Sequence, residues 1–246
     1  MMARFILTLA FGVVLFGHHV HAREQLNVDL ASDHIDITTG FNGSDIVLFG
    51  VKNGSGDLAV TIKGPLKTMV VRKKNTVLGA WMNTERLTFE NVPVFYSYAL
   101  SAKVEDYNAT FLKKNGIGLK YLDFKVLEEN KSAKLKADFL SALKRNKLTD
   151  NLFAPEPVGI QMIGEHLFKL SLYIPSNLPV GQYEIKTFLV QGERVREEKV
   201  TTLNVGQVGR NAQIYDFAIN ASFYYGLICV FMAVFAGWLI NVIRGK

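Results

Sequence analysis

The chain has 246 residues, of which 49% are hydrophobic and 20% are charged, with 20 glycines and 6 prolines. This composition excludes a disordered chain, a collagen-like chain and a multi-pass transporter. The formal net charge is +6, but once the two terminal segments described below are set aside, 25 basic residues face 22 acidic ones. That balance is typical of an ordinary soluble surface and does not indicate a nucleic-acid partner.

Residues 1–22 have the three parts of a secretory signal peptide. Arg4 supplies the positive charge, an apolar run follows from Phe5 to Phe16, and Val20-His21-Ala22 provides the small residues that a signal peptidase reads. Because the apolar run is short for a membrane span, we expect cleavage after Ala22 rather than an uncleaved anchor.

Residues 23–102 predict a β-sandwich lobe made of short strands. Asp45–Val51 and Leu58–Lys63 flank a turn-rich segment at residues 52–57, which predicts a β-hairpin. Closely spaced strands without an intervening helix favour an antiparallel sandwich. The other strands predicted here are Ile35–Thr38, Thr68–Arg72, Thr76–Met82, Arg86–Phe89 and Val94–Leu100.

Residues 103–154 predict a helical insertion or linker. Within it, Lys131–Lys147 places Leu135, Phe139, Ala142 and Leu143 on one apolar stripe of a helix. The remaining surface of this helix is basic, and two interpretations are open: it binds anionic lipid, or it is a solvated face, which is more common. The basic residues are Lys131, Lys134, Lys136, Lys144, Arg145 and Lys147.

Residues 155–210 predict a second β lobe. Pro179–Tyr183 resembles the start of a late strand in immunoglobulin-like sandwiches, where a tyrosine hydroxyl bonds back to the backbone. The predicted fold class is therefore mainly β, with one or two antiparallel immunoglobulin-like sandwiches and a helical insertion. Two lobes are slightly favoured, because about 75 residues suffice for the first lobe alone. The strands predicted here are Val158–Ile163, His166–Ile174, Tyr183–Val190 and Val195–Val205.

Residues 218–243 predict a transmembrane helix, followed by a cytoplasmic tail at 244–246. No charged residue occurs from Ala221 to Ile243, and about 20 residues at 1.5 Å each cross a hydrocarbon layer of about 30 Å. Arg244 and Lys246 follow directly, which places the C-terminus in the cytoplasm by the positive-inside rule. The alternative is a buried core helix.

Small residues recur along one face of this predicted span, where they allow two helix backbones to approach closely in lipid. This face predicts contact with a partner helix or a second copy, although small residues are common in any span. The single cysteine lies on it, so the exported part contains no disulfide. The face consists of Ser222, Gly226, Cys229, Ala233 and Gly237.

The sequence contains no recognisable catalytic or metal-binding motif. His34 and His166 are the only histidines beyond the predicted signal peptide, and no P-loop, His-Glu-x-x-His or Gly-x-Ser-x-Gly pattern occurs. We therefore expect no enzymatic activity, no metal and no cofactor. A catalytic group assembled only in space, such as a triad or a carboxylate pair, is the alternative.

Arg72, Lys73 and Lys74, followed by Trp81, form the best candidate recognition site. Cations beside an aromatic ring can hold an anion or a sugar by charge and stacking. The alternative is an edge strand that lysines keep from aggregating.

Several segments resemble, in order, a family of transmembrane proteins of alphaproteobacteria. The resemblance covers nearly the whole chain and implies a Gram-negative inner membrane with the domain in the periplasm. It also suggests a sulfite-exporter-like permease as a partner, a homodimer being the alternative, but it implies no activity. The segments are Ile37–Gly50, Ile62–Pro65, Val71–Lys74, Trp81–Asn83, Phe89–Tyr96, Pro179–Tyr183, Tyr224–Leu227 and Ala236–Leu239.

These observations predict a membrane-anchored periplasmic protein that acts as a non-enzymatic accessory module of an envelope or transport complex. The alternative is a periplasmic ligand-binding or hydrolytic domain that uses the Arg72–Trp81 region. A concave pocket lined by these residues would favour the alternative, and a featureless convex sandwich would favour the accessory module.

Overall fold

The computed structural model describes residues 26–77, 79–208, 215 and 217–244, so the predicted signal peptide at 1–22 lies outside it. The described chain is mainly β, with three helices of seven residues or more: α1 (Ala109–Asn115), α2 (Ala133–Thr149) and α3 (Ser222–Arg244). The strands are β1 (Leu26–Leu30), β2 (His34–Ile37), β3 (Ser44–Lys52), β4 (Asp57–Lys63), β5 (Leu66–Val77), β6 (Ala80–Pro93), β7 (Tyr96–Leu100), β8 (Lys125–Val126), β9 (Val158–Gly159), β10 (Gln161–Ile163), β11 (Leu167–Ile174), β12 (Gly181–Gln191) and β13 (Arg194–Gln207).

The described strands form three sheets. The first has the order β1–β3–β11–β10 and is antiparallel throughout. The second has the order β2–β13–β12–β4–β7–β9, with parallel pairs only at its two edges. The third consists of β5, β6 and β8 and is antiparallel. The prediction of a mainly β, antiparallel fold with a helical insertion is confirmed.

One hydrophobic core holds the first two sheets together as a sandwich. Strand β11 shows why, since Phe168, Leu170, Leu172 and Ile174 point inward while the residues between them are exposed. This two-residue alternation gives the sheet one apolar face, which is buried against the second sheet. The core contains residues of both sheets, among them Leu48, Leu58, Ile62, Tyr183, Ile185 and Leu203.

The two β stretches of the sequence share these sheets, instead of each forming its own lobe as the sequence slightly favoured. β11 pairs with β3 from Leu167 opposite Val51 to Ile174 opposite Ser44. β12 pairs with β4 along seven residues. Strands before and after the insertion therefore lie side by side in one sandwich.

The predicted hairpin between β3 and β4 does not form, although both strands exist. β3 pairs with β1 and β11 in the first sheet, whereas β4 pairs with β12 and β7 in the second. The turn at residues 53–56 thus carries the chain from one sheet to the other. Turn residues predict a reversal, but they do not say whether the strands on either side will pair.

A second core lies on the opposite face of the six-stranded sheet, where the helical insertion covers it. This explains why β7 is buried at all five positions instead of alternating. Predicted helix 131–147 is confirmed as α2, whose N-cap Ser132 accepts a hydrogen bond from the backbone N–H of Leu135 at 3.3 Å. The second core includes Leu87, Phe89, Tyr96, Phe111, Leu112, Phe139, Leu143, Phe153 and Phe188.

The third sheet contains a long hairpin whose strand boundaries were predicted incorrectly from the sequence. The predicted strand Thr76–Met82 spans the reversal between β5 and β6, where Val77 lies opposite Ala80 and Gly79 has a φ of +84°. Glycine adopts this left-handed conformation without the steric cost that other residues meet. β5 and β6 are 12 and 14 residues long, which is much longer than the strands predicted in this region.

The tyrosine predicted to bond back to the backbone does so. Tyr183 is fully buried, and its hydroxyl donates to the Pro179 carbonyl at 2.6 Å. Burial raises the pKa of this hydroxyl. A Cβ on Gly64 would approach the Tyr183 ring to 2.9 Å, so the absence of a side chain there lets the ring seat. The immunoglobulin-like assignment itself stays a prediction.

Candidate functional site

Arg72, Lys73 and Lys74 lie in the outer half of β5, and all three are exposed. Arg72 is directly opposite Arg86 on β6, and Lys73 is opposite Glu85. A bulge between Lys73 and Lys74 changes the register just before the strand reaches the hairpin tip. The hairpin therefore presents a short basic segment on a two-stranded ribbon.

Trp81 lies near the tip of the same hairpin, opposite Thr76, with 75% of its surface exposed. Thr76 is two residues beyond Lys74, about 7 Å along the strand. Neither of the cation–π contacts found among the described residues involves Trp81. The structure thus places Trp81 on the same hairpin as the three cations, nearest to Lys74, but it does not place their charges over the ring.

A cleft of about 330 Å³ separates β5 from α2, and Arg72, Lys73 and Lys74 form part of its wall. Apolar side chains of α2 and Val71 form the rest of its lining, together with Asp138 and Arg145. Sequence reasoning did not connect Arg145 with Arg72–Lys74, because 71 residues separate Arg145 from Lys74 and only the packing of α2 brings them together. The apolar α2 residues in the cleft are Leu135, Phe139 and Ala142.

The cations of this cleft form no direct ion pair with a carboxylate of the described residues. Arg72, Lys73, Lys74 and Arg145 take part in none of the ion pairs formed by the described residues. Their charges are therefore offset only by solvent and by carboxylates at longer range. Such a surface can attract an anion, with the apolar floor contributed by α2 beneath it.

The sequence indicated one continuous basic surface on α2. In the structure, the basic residues of α2 do not form such a surface. The Lys147 ammonium donates to the Val94 carbonyl at 3.3 Å and lies 5.9 Å from the centre of the Phe153 ring. Burial lowers the pKa of Lys147. Lys136 donates to the Glu129 carbonyl at 2.9 Å. Only part of the predicted basic face is thus free to meet a partner.

A larger cleft of about 610 Å³ lies between the β4–β5 turn and the end of α1, and sequence reasoning missed it. Lys63, Lys113 and Lys114 line it together with Asp123 and Glu184. Burial, and next the charge of Lys186, lower the pKa of Lys63, whose ammonium lies 3.4 Å from the Asn115 carbonyl. Charges of both signs in one cleft favour no single ligand class.

The histidines and carboxylates form structural contacts. His34 lies 3.0 Å from Asp33, and this hydrogen bond raises the pKa of the imidazole. Nδ1 of His166 lies 3.1 Å from the Lys52 carbonyl. Among the described residues there is no group of three or more His, Cys, Asp or Glu side chains that could hold a metal ion.

Helix α3 contains a stretch, Ser222–Ile243, that is long and apolar enough to cross a membrane. None of its residues is buried against the rest of the described chain, which argues against a core helix. A Cβ added at Gly226 or Gly237 would meet no atom within 4 Å. The predicted small-residue face is therefore open, and Cys229 on it is exposed.

A sandwich joined to an exposed apolar helix is the architecture of a single-span membrane protein with a β domain. The chain belongs to the family described as "Putative transmembrane protein" (Alph_Pro_TM), whose family model matches residues 25–245. The resemblance predicted from the sequence is confirmed. No curated protein and no solved structure matches the chain.

Proposed function

We propose that the protein is a non-enzymatic accessory module that α3 anchors in the membrane and that binds an integral membrane partner. The observation that carries this proposal is the complete exposure of α3 in the described chain. Lipid alone satisfies such a helix, but its open small-residue face also allows close packing against another helix. A permease of the sulfite-exporter type, or a second copy, is the partner class that we favour.

The proposal places the β domain in the periplasm and the C-terminus in the cytoplasm. The apolar segment at residues 5–16 supports export of the N-terminal part. Arg244 and Lys246, with no acidic residue beyond the span, support a cytoplasmic tail. Cleavage after Ala22 would leave Arg23 as the first residue, which N-terminal sequencing of the purified protein measures directly.

The accessory role is tested by purifying the tagged full-length protein from native membranes in mild detergent. Wild type is compared with the double variant Gly226→Leu/Gly237→Leu, and bound proteins are identified by mass spectrometry. We expect a stoichiometric membrane partner, or a homodimer, that disappears in the variant. Because neither glycine contacts the rest of the described chain, the substitutions act on an external contact.

The matched control is Ile228→Leu/Val242→Leu, which changes two exposed residues on the opposite side of the same helix. This control should keep the partner. Recovery of the wild-type protein alone and monomeric would contradict the accessory role. Loss of the partner in both double variants would show that α3 tolerates no change, and would remove the argument for a specific face.

The second candidate function is ligand binding or hydrolysis at the Arg72–Trp81 region. The cleft between β5 and α2 favours it, because Arg72, Lys73 and Lys74 line a concave surface. Against hydrolysis, the cleft lining includes a single carboxylate, Asp138, and no histidine. A screen of small anions by thermal shift, comparing wild type with Lys73→Ala, tests this candidate.

A further inference from the structure

We propose that the β5–β6 hairpin and the adjacent end of α2 form a second membrane contact, which binds the anionic headgroups of the bilayer that α3 spans. The inference rests on the membrane anchoring in the proposed function, but not on the partner of α3. Two separate sequence features converge here: the basic segment Arg72–Lys74 and the basic helix, represented by Arg145.

The charge of this surface fits an anionic partner. Arg72, Lys73, Lys74, Arg86 and Arg145 supply five cations. The nearby carboxylates are three: Glu85 opposite Lys73, Asp138 in the cleft, and Glu128, which already accepts two hydrogen bonds from Thr88. The surface therefore keeps an excess of positive charge.

Arg72 and Arg86 add a more specific argument. They occupy directly opposed positions on neighbouring strands, where like charges disfavour pairing. A layer of phosphate groups relieves this repulsion and accepts hydrogen bonds from both guanidinium groups. The hairpin therefore gains more from an anionic surface than isolated lysines would.

The hairpin tip supplies the apolar part of the contact. Trp81 is 75% exposed, the highest value among the large apolar side chains of the described residues before α3, and Met82 beside it is 53% exposed. Tryptophan favours the boundary between water and lipid, because its ring is apolar and its N–H can still reach water. Basic residues beside an exposed tryptophan are typical of interfacial binding rather than of a purely soluble anion site.

The segment between the β domain and α3 keeps the hairpin within reach of the membrane. Residues 208–221 separate β13 from α3. Fourteen residues extend at most about 50 Å, so the domain stays within that distance of the membrane. Even weak attraction between the hairpin and the lipid surface then acts at a high effective concentration. Each basic residue near an anionic surface strengthens binding about fivefold.

The test uses the full chain with Trp238→Phe, which leaves Trp81 as the only tryptophan, since the sequence contains two. The protein is placed in nanodiscs that are bounded by a scaffold protein without tryptophan. Their lipid is phosphatidylcholine alone, or phosphatidylcholine and phosphatidylglycerol in equal parts. Quenching of Trp81 fluorescence by aqueous acrylamide is measured in each. We expect a severalfold lower quenching constant and a blue-shifted emission in the anionic discs.

Two further measurements test whether the protection of Trp81 depends on charge. Salt that shortens the screening length from about 10 Å to about 3 Å should restore quenching of the Trp238→Phe protein. Lys73→Glu/Lys74→Glu should restore it at low salt, whereas Lys169→Glu, which changes an exposed lysine on β11 of the four-stranded sheet, should not. The salt measurement needs no substitution beyond Trp238→Phe, so it holds even if the double variant folds poorly.

Three results would overturn the proposal. One is equal quenching in neutral and anionic discs. Another is protection of Trp81 by inorganic phosphate in phosphatidylcholine discs, which would identify a soluble anion instead of a lipid surface. The third is an equal effect of Lys169→Glu and the double variant. Because the discs contain no candidate membrane partner of α3, failure here is distinct from failure to find a partner for α3.

Discussion

At the scale of single residues, a few side-chain hydrogen bonds hold loops against the strands. Tyr183 packs in the main core and also holds the segment before β12 through its hydroxyl. Glu128 holds the segment after β8 against β6 by accepting hydrogen bonds from the Thr88 N–H at 2.8 Å and its hydroxyl at 2.9 Å. Each contact joins a loop to a strand, so each can be tested by removing one group.

Tyr183→Phe should lower the free energy of unfolding by about 1 kcal/mol, because it leaves the Pro179 carbonyl without this partner. Denaturant unfolding of the full chain in detergent measures the change. Tyr173→Phe is the matched control, since the Tyr173 hydroxyl donates to the Asn42 carbonyl at 3.0 Å from a side chain that is 62% exposed. A control effect as large as that of Tyr183→Phe would argue against a special role for the buried tyrosine.

The hydrogen bonds to the Glu128 carboxylate predict that the folded protein loses stability in acid. The hydrogen bond from the Thr88 backbone, and next the Thr88 hydroxyl, lower the pKa of Glu128 in the folded state. A lowered folded pKa means that its stabilising effect is fully present above the unfolded pKa, about 4.3 for glutamate. The effect is lost as the pH falls through the folded pKa.

Unfolding midpoints measured across this acid range should therefore fall more for wild type than for Glu128→Gln. Glu129→Gln is the control, because the Glu129 side chain forms no hydrogen bond with the described residues. Parallel curves for wild type and Glu128→Gln would contradict the prediction.

At the scale of elements, the helical insertion acts as a cover for the outer face of the six-stranded sheet. Phe139 and Leu143 of α2 are both 4% exposed and pack in the second core with strand residues such as Phe89 and Tyr96. Much of the stability of α2 therefore comes from this packing rather than from its own helix propensity. This packing also places α2 opposite β5, where α2 forms one wall of the basic cleft.

Leu143→Ala should lower the free energy of unfolding by about 2–5 kcal/mol, because it removes buried methyl groups and leaves a cavity. Leu127→Ala is the matched control: the same change at a leucine that is 48% exposed should cost much less. The comparison is made by denaturant unfolding, with helix content followed by circular dichroism. Equal losses in the two variants would mean that α2 is not docked as described.

The Leu143→Ala variant also probes the cleft. If α2 loosens, Arg145 moves away from Arg72–Lys74, and the protection of Trp81 in anionic nanodiscs should weaken. If Leu143→Ala lowers the free energy of unfolding by less than predicted and still removes the protection of Trp81, the docking of α2 and the lipid contact are connected.

At the scale of the whole molecule, α3 and the sandwich have separate roles. The sandwich buries its apolar side chains internally, whereas α3 exposes its own along its described length. Lipid is the environment that removes this apolar surface from water. We therefore expect membrane attachment to depend on α3 and the stability of the sandwich to depend on its two cores.

Ending the chain after Val208 should release the domain from the membrane without unfolding it. After cell fractionation and an alkaline carbonate wash, the full chain should stay in the membrane pellet, and the shortened chain should appear in the soluble fraction. Its circular dichroism should keep the β signal. A shortened chain that stays in the pellet despite high salt would show a strong attachment outside α3.

Local sequence patterns predicted those features that depend on one segment of the chain alone. The apolar length of residues 222–243 predicted the span, the stripe from Leu135 to Leu143 predicted α2, and the spacing of Pro179 and Tyr183 predicted the tyrosine hydrogen bond. Each of these depends on residues that lie within one element or one turn. This is why they could be read without knowledge of the partners.

What only the tertiary structure decided was the pairing of distant segments. The sequence did not show that β3 and β4 belong to different sheets, that β11 returns to pair with β3, or that Arg145 meets Arg72–Lys74. Strand partners and cleft walls are chosen by the burial of whole faces, which no local pattern encodes. The sequence by itself thus determined the span, the family and the β character, while long-range packing decided the single sandwich and the basic cleft.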